Sequence, residues 1–254
     1  MTSEQPFAQR HPMLGEFLTS GLSVGTGVIL TNPVDVVKIR QQLAGRGRNV
    51  FYTSFLVVRD EGPLALYRGV TAAVARGMLY GGLRIGLYNP MKRLLGAEGH
   101  ESALLRKVAA GMLSGALAAG ICNPTDLVKT RMQAKGATSR NPFAVAALVY
   151  REDGLKGLWR GTTPSMARAA LLTAAQLATY DEVKHLFIRQ LGWEDSMGTH
   201  FTVSAVAGLV TTTVTAPVDM VKTHMFVNGS KYASPLDCMV GIYKRHGLRG
   251  FFRG

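Results

Sequence analysis

The chain has 254 residues, a formal net charge of +13, 47% hydrophobic residues and only 18% charged residues. This charged fraction, with a mean hydropathy of +0.12, argues against a disordered protein and a typical soluble enzyme. Positive charge in so apolar a chain favours a membrane with anionic lipid over nucleic acid. Two cysteines exclude a disulfide framework or a four-cysteine zinc site. Residues 1–14 are expected to carry neither a secretory signal nor an Arg-rich transit peptide.

Two motifs recur three times at a spacing of about 90 residues. The first has a proline, an acidic residue two positions later and a lysine five positions later, and it starts at Pro33, Pro124 and Pro217. The second has an acidic residue and glycine, with His246 in place of the acid in the third copy, then an aromatic residue, arginine and glycine, and it ends at Gly69, Gly161 and Gly254. So long a period indicates a repeated structural unit. We therefore expect three units, at 1–97, 98–192 and 193–254, the last of them incomplete.

Each unit predicts a spanning helix, a surface helix and a second spanning helix. Apolar runs before the prolines, at 17–33, 108–124 and 201–217, approach the roughly 20 residues that a membrane span needs. Further apolar runs follow the first two copies of the second motif, and shorter amphipathic segments such as 51–59 lie between the two runs of a unit. Proline inside such a helix is expected to kink it, here at Pro33, Pro124 and Pro217. A buried helix of a large soluble protein is the alternative, and the three-fold repetition argues against it.

The distribution of charge and the end of the chain add two expectations. Most lysines and arginines lie on the side of the motifs, which orients that side toward the compartment that retains positive loops. The third unit stops at Gly254, where the first two units begin their second span. Five of six transmembrane helices are therefore expected, and both a fragment and a natural short form remain open.

The two motifs, in triplicate, resemble those of the mitochondrial carrier family. The resemblance implies an all-α membrane protein, a three-fold pseudo-symmetric bundle with short matrix surface helices. It also implies a multi-pass position in the inner mitochondrial membrane and one central site reached alternately from either side.

The resemblance implies a gate at the matrix end. Its ion pairs would join each unit to the next, as Asp35–Lys129, Asp126–Lys222 and Asp219–Lys38. In the family a glutamine nine residues after the proline reinforces these pairs, a position filled here by Gln42 and Gln133. Phe226 stands at the third such position, so a third glutamine brace is not expected.

The resemblance also implies a gate at the cytoplasmic face. Tyr180, Asp181 and Lys184 match the family motif there, whereas Asn89 replaces the acid in the copy that contains Lys92. Asp181–Lys92 is therefore the one complete pair expected.

A candidate substrate site lies between the gates. Arg76, Tyr80 and Arg84 are four residues apart and share one helix face, and Arg168 lies in the fourth span. Charged side chains inside a membrane span usually serve function, and arginine binds carboxylates in bidentate fashion. The alternative for Arg84 and Arg168 is snorkelling to a lipid headgroup. The resemblance, closest to the oxoglutarate, dicarboxylate and uncoupling-protein branch, adds further candidates. These are Ala169, Thr173 and Gln176.

The expected function is transport of a small anionic metabolite, such as malate or oxoglutarate, by a monomer surrounded by anionic lipid such as cardiolipin. The alternatives are an uncoupling-protein-like proton or anion leak and a carrier-like protein that transports nothing. The six histidines show no i, i+4 metal spacing, and no phosphate-binding loop or nucleophile elbow is present. We therefore expect no enzyme activity, no cofactor, no metal site and no nucleic-acid partner.

Overall fold

The structure, a computed structural model, describes residues 12–44, 49–97, 104–136, 139, 141–190, 192–194, 196–228, 231–232 and 234–252. Residues 1–11, which carry most of the expectation about targeting signals, and residues 253–254, which end the third copy of the second motif, lie outside the described residues. Within the described part, all regular structure is helical. The fold is an all-α bundle of repeated helical units, as expected.

Nine α-helices follow one another in the described part of the chain. They are α1 (Pro12–Leu43), α2 (Val50–Glu61), α3 (Val70–Leu94), α4 (Leu104–Ile121), α5 (Asn123–Gln133), α6 (Pro142–Leu158), α7 (Thr162–His185), α8 (Met197–Asn228) and α9 (Pro235–His246). Short 3₁₀ turns, Pro63–Tyr67 and Leu248–Phe252, follow α2 and α9. A π turn, Leu186–Gln190, extends α7.

The helices repeat one plan. A long helix that carries the proline motif (α1, α4 with α5, α8) is followed by a short helix (α2, α6, α9), and α3 and α7 are the second long helices of the first two units. The long helices pack side by side in the order α1, α3, α4, α7 and α8. At the motif end, α1, α5 and α8 also contact one another and bring the three units together.

The lipid-facing character of the long helices is uneven. Among the described residues, α4 and α8 are long and apolar enough to cross a membrane by composition alone. Thus two of the five expected spans meet this criterion, and α3 and α7 carry charged residues, which include Arg76 and Arg84 in α3 and Arg168 in α7. Large apolar side chains nevertheless point outward on several long helices. Examples are Leu30, Ile85, Leu105 and Leu209, which are 73%, 76%, 81% and 70% exposed. Such exposed apolar surface fits contact with lipid.

The three motif prolines differ in their local effect. Pro124 follows a break between α4 and α5, where the carbonyl of Cys122 accepts from the backbone N–H groups of Thr125 and Asp126. Pro33 and Pro217 lie inside α1 and α8, which continue through them. A helix break therefore occurs at one of the three predicted kink positions. A proline removes a single donor from the hydrogen-bond ladder, and the adjoining turns hold the other two helices continuous.

The glycines of the second motif have a conformational reason. Gly62 ends α2 at φ 83° and Gly154 interrupts α6 at φ 66°. Gly69 and Gly161 precede α3 and α7 at φ 76° and 78°. Positive φ is open to glycine and costly for residues with a Cβ. The motif thus marks the two sharp turns that return each short helix to the next long one.

The buried core lies at the motif end, where the short helices pack on the long ones. One cluster joins α8 and α9 through Met220, Val221, Met225, Cys238 and Ile242. A second cluster, on α3, α5 and α6, contains Ala72, Val128, Met132 and Val145. This end of the bundle is consequently the best packed, and the motif charges lie beside it.

Candidate functional site

Three interhelical ion pairs lie at the motif end. Lys129 Nζ is 2.6 Å from Asp35 Oδ2, Lys222 Nζ is 2.7 Å from Asp126 Oδ2, and Lys38 Nζ is 3.2 Å from Asp219 Oδ2. They are the three pairs that the sequence resemblance implied. Each pair joins two units, and together the six residues are called the motif-end network below.

Two of the candidate substrate-binding arginines also contact this network. Arg76 Nε lies 2.5 Å from Asp126 Oδ1, and Arg168 Nε donates to Asp219 Oδ1. Each of these two aspartates therefore holds an arginine as well as a lysine. Asp126 and Asp219 are 5% and 8% exposed, so their charges need such compensation. The sequence had placed these arginines in a substrate site separate from the matrix gate. In the structure they contact the residues of that gate.

The motif-end network surrounds a small cavity of about 210 Å³. Besides the six charged residues, its walls include Arg76, Arg168, Gln42 and Thr223. It is a polar, charge-rich cavity in which cations and carboxylates alternate.

The third candidate arginine has different surroundings. Arg84 Nη2 donates to Thr173 Oγ1 at 3.2 Å, and the same hydroxyl donates to the carbonyl of Ala169. Tyr80 lies between the arginines on α3, with the Arg76 guanidinium 4.8 Å from its ring centroid. Gln176, the last candidate on α7, is exposed. The structure thus brings together Arg84, Thr173 and Ala169 at a level different from that of Arg76.

The two candidate glutamine braces do not contact the ion pairs. Gln133 Nε2 donates to Asn32 Oδ1 at 3.0 Å, and Gln42 Oε1 accepts from Thr223 Oγ1 at 2.8 Å. The expectation that they reinforce the salt bridges is wrong for the side-chain contacts of the described residues, because each amide hydrogen-bonds a polar side chain of a neighbouring unit and Gln133 Oε1 is left without a partner. Both still link one unit to another.

The pair expected at the opposite end is not formed. Asp181 is exposed and has no ion-pair partner within the described residues, while Lys92 Nζ lies 5.6 Å from the centroid of the Tyr88 ring. The Tyr180 hydroxyl contacts His200 Nδ1 at 2.7 Å instead. Lys184, also expected at this gate, is half-buried. The expectation of an Asp181–Lys92 contact is therefore wrong for this conformation, whose ion pairs gather at the motif end.

Comparison with known proteins identifies the family in which this arrangement occurs. The pattern of the family described as "Mitochondrial carrier protein" matches residues 9–99, 100–191 and 194–254. The chain belongs to the mitochondrial carrier family.

Relatives of this carrier cover most of its length. It is 36% identical over 254 residues to the mitochondrial substrate carrier family protein ucpB of Dictyostelium discoideum, covering 94% of this chain and 86% of the relative. It is 35% identical to mitochondrial uncoupling protein 1 of Arabidopsis thaliana, over 94% and 84% of the two chains. The dicarboxylate carrier UCP2 of Danio rerio is 34% identical, over 94% and 83%.

Sequence reasoning missed two buried asparagines that precede the motif prolines in the carrier. Asn32 Nδ2 donates to the carbonyl of Leu66 at 2.8 Å, and Asn123 Nδ2 donates to the carbonyls of Leu158 and Arg160 at 3.1 Å each. Both are fully buried. They fix the start of each second long helix to the proline motif of the same unit, and the Asn-Pro pair in two units was the available signal.

A second set of contacts, also missed, joins successive units of the carrier. Arg40 makes a two-pronged ion pair with Glu61, at 2.5 and 3.0 Å, and its Nε donates to the backbone carbonyl of Gln133 in the next unit. In the second unit Arg131 pairs with Glu152 at 3.3 Å, and its Nε donates to the carbonyl of Phe226. The hydrogen bond from Arg40 holds the pKa of Glu61 below its usual value, although burial acts in the other direction.

The third unit of the carrier departs from this arrangement. His224 stands where the other units have Arg40 and Arg131, and His246 stands where they have the acid before glycine. The His224 ring still hydrogen-bonds the backbone of Gln42, but its Nδ1 is buried without a partner among the described residues. The third link between units is therefore the one without an arginine and a carboxylate.

Proposed function

We propose that this carrier moves a small organic dianion, a dicarboxylate or 2-oxoacid such as malate or oxoglutarate, across the inner mitochondrial membrane by alternating access. The observation that carries the proposal is the connection of Arg76 and Arg168 to Asp126 and Asp219. Two guanidinium groups suited to carboxylates lie where the units are joined, and a third, Arg84, lies further along α3.

Competition between anions gives the transport step its physical basis. A cargo carboxylate that binds Arg76 takes it from Asp126, which then keeps Lys222 alone. The same exchange at Arg168 weakens its hold on Asp219. Since buried charges are costly without partners, loss of either arginine destabilises the closed motif end. Binding of the dianion thus lowers the barrier to opening toward the matrix.

The direction of cargo entry follows from the ends of the bundle. Ion pairs close the motif end, while Asp181 and Lys92 at the opposite end are apart. A cargo molecule therefore enters from the cytoplasmic side in this conformation. The Asp181–Lys92 pair belongs to the alternate state, in which the motif-end network is open.

The surroundings of the carrier are part of the proposal. The net charge of +13 and the outward apolar side chains of the long helices fit a bilayer rich in anionic lipid, such as one that contains cardiolipin. The central network lies within one chain, so a monomer suffices for transport.

An uncoupling-protein-like leak of protons or anions is the second candidate function. It is favoured by relatives named uncoupling proteins at 35% and 34% identity, for example mitochondrial uncoupling protein 2 of Arabidopsis thaliana. The two functions differ in what they require. Exchange needs an internal counter-substrate, whereas a leak proceeds without one.

Uptake into proteoliposomes tests the proposal. Vesicles loaded with malate are given labelled malate, oxoglutarate, phosphate or ADP outside, and the vesicle pH is recorded with a trapped dye. Saturable uptake of malate or oxoglutarate that depends on internal malate and falls at least ten-fold in Arg84→Gln is the expected result. Proton flux without anion exchange supports the leak, and uptake of ADP alone contradicts the dianion assignment.

A further inference from the structure

A second cavity lies between α3, α4 and α7, apart from the motif-end network. Its volume is about 280 Å³. It is lined by Arg84, Ile85, Tyr88, Lys107, Gly111, Ser114, Thr173 and Leu177. Six of these residues, Lys107 among them, had no assigned role in the sequence, and Arg84 and Thr173 were the exceptions.

The charges of this cavity are not balanced. Among the residues that the structure describes, its lining contains two cations, Arg84 and Lys107, and no acidic residue. Arg84 donates to the neutral Thr173 hydroxyl, and Lys107 has no hydrogen bond or ion pair within the part of the chain that the structure describes. By contrast, Arg76 and Arg168 each contact a carboxylate. Two cations facing one small cavity attract an anion to it.

The space beside the cations suits a compact oxyanion. Gly111 has no side chain where a Cβ would lie 3.5 Å from the Thr173 methyl and 4.0 Å from the Tyr88 ring. The hydroxyls of Ser114 and Thr173 add polar surface, and in this conformation each donates to a backbone carbonyl, that of Gly111 and that of Ala169, so the two cations are the groups that hold the anion. Leu177, with the edge of the largely outward-facing Ile85, adds apolar surface that fits a short carbon chain attached to the anionic group.

We propose that Arg84 and Lys107 together hold one carboxylate or phosphate group of the cargo, and that Lys107 is a further specificity-determining residue of this carrier. The inference rests on the proposed function, because it assigns an outer position to the cargo of that transport. Arg84 lies two turns, about 12 Å along the helix axis, from Arg76. An anion held here is therefore captured before it reaches the motif-end network.

This position also has a consequence for charge selection. A monoanion satisfies Arg84 and Lys107 but has no second group to offer Arg76 or Arg168. A dianion of four or five carbons is shorter than the separation of the two levels, so it moves from one to the other as it passes inward. The outer site thus sets the affinity for an oxyanion, and the inner arginines couple it to opening.

The matched control is Arg106, the neighbour of Lys107 on α4. Arg106 is exposed, and its Nη1 donates to the carbonyl of Gly96 at 3.3 Å, away from the cavity. Arg106→Gln removes the same charge one residue away. It therefore reports the general effect of net charge without altering the site.

The test measures equilibrium binding of labelled malate and labelled inorganic phosphate to the full chain in phosphatidylcholine nanodiscs. Lys107→Gln is expected to weaken binding of the cargo oxyanion about ten-fold, Lys107→Arg less than three-fold and Arg106→Gln less than two-fold. The double variant Arg84→Gln, Lys107→Gln is expected to lose less affinity than the product of the fold-losses of the two single variants, because both cations hold the same group. Preference for malate identifies a carboxylate, and preference for phosphate identifies a phosphate group.

Several outcomes overturn the inference. They are equal binding by Lys107→Gln and Arg106→Gln, independent effects of Arg84 and Lys107, and no binding of either oxyanion by the parent. The proposed function fails separately. If phosphate binding depends on Lys107 but the parent does not exchange malate, the site stands and the dicarboxylate assignment falls. If malate exchange is intact in Lys107→Gln, the assignment stands and the site falls.

Discussion

Arg76 and Asp126 lie 50 residues apart in the chain and form an ion pair of 2.5 Å, on a carboxylate that Lys222 also contacts at 2.7 Å. The residue proposed to bind cargo and the residues that close the motif end therefore share one partner. Asp35 differs, because Lys129 is its one ion-pair partner within the described residues. The pairs of the motif-end network can therefore be distinguished by experiment.

Reversal of charge is expected to succeed at one pair and fail at another. Asp35→Lys with Lys129→Asp recreates an isolated pair, so it should recover most of the transport that either single variant loses. Asp126→Lys with Lys222→Asp places a new lysine beside Arg76, so its recovery should be small. Uptake of labelled malate by proteoliposomes with equal amounts of inserted protein measures both. Equal recovery by the two double variants would contradict the shared role of Asp126.

Loss of an arginine is expected to affect thermal stability only where an aspartate depends on it. Arg168→Gln leaves Asp219 with Lys38 alone, which we expect to cost about 2 kcal/mol, or roughly 4–8 °C in melting temperature. Arg84→Gln removes one hydrogen bond to a hydroxyl, so its melting temperature should stay within about 3 °C of the parent. A thiol-reactive dye reports unfolding, since Cys122 and Cys238 are both buried. A larger decrease in melting temperature for Arg84→Gln than for Arg168→Gln would mean that Arg84, and not Arg168, stabilises the fold.

The ion pair of Glu61 is expected to give a pH-dependent contribution to stability. Its folded-state pKa is lowered by Arg40, so the contribution is present above the unfolded pKa of about 4.5 and is lost as pH falls through the lower folded value. Glu61→Gln should therefore melt several degrees below the parent at pH 7, and the two curves should converge below about pH 4. Asp60→Asn is the control, because Asp60 contacts only the exposed Arg59 among the described residues. A constant difference at all pH values would show that Glu61 acts by shape alone.

Restoring an arginine and a carboxylate in the third unit is expected to stabilise the carrier. His224→Arg with His246→Glu reproduces the Arg40–Glu61 arrangement and replaces a ring whose Nδ1 has no partner in the described part of the chain. The double variant should melt roughly 2–6 °C above the parent at pH 8. His224→Arg alone lacks the carboxylate, so its melting temperature should rise less than that of the double variant, or fall. A double variant no better than this single one would mean that the histidines are not the counterpart of the first two links.

Replacing Phe226 by the glutamine usual in the family is expected to destabilise this chain. Phe226 is fully buried against Leu127 and Val149, and Lys222 Nζ lies 5.2 Å from its ring centroid. Phe226→Gln removes that packing and buries an amide, at an expected cost of about 3 kcal/mol. Phe226→Leu keeps apolar volume and should cost about half as much. Melting curves of the two variants test this, and equal stability of Phe226→Gln and the parent would argue for a glutamine brace.

The sequence predicted those parts of the carrier that depend on repetition. In each of three copies the motif places an acid and a lysine three residues apart on one helix face, and the family resemblance implied their partners, among them Asp35–Lys129 and Asp126–Lys222. The turns at Gly62 and Gly69, which need positive φ, were not predicted, although the repeated glycines were the available signal. The pairing between units thus followed from the repeat together with the resemblance.

Contacts that depend on the depth and rotation of a single helix were not predicted. Arg76 and Arg84 share a face of α3, yet Arg76 reaches Asp126 and Arg84 reaches Thr173. Gln133 directs its amide to Asn32 and not to a salt bridge. Lys107 had no predicted role, but α4 begins three residues before it and places it in a cavity.

The hydrogen bonds from Arg40 and Arg131 end on main-chain carbonyl groups, those of Gln133 and Phe226. Every residue type offers the same carbonyl oxygen, so the acceptor persists whatever side chain the position carries. The joint between units is therefore made in the same way in the first two units, although Gln133 and Phe226 differ in chemistry. The side chains at these two positions are constrained by their own packing, since both are fully buried, and not by the hydrogen bond from the arginine.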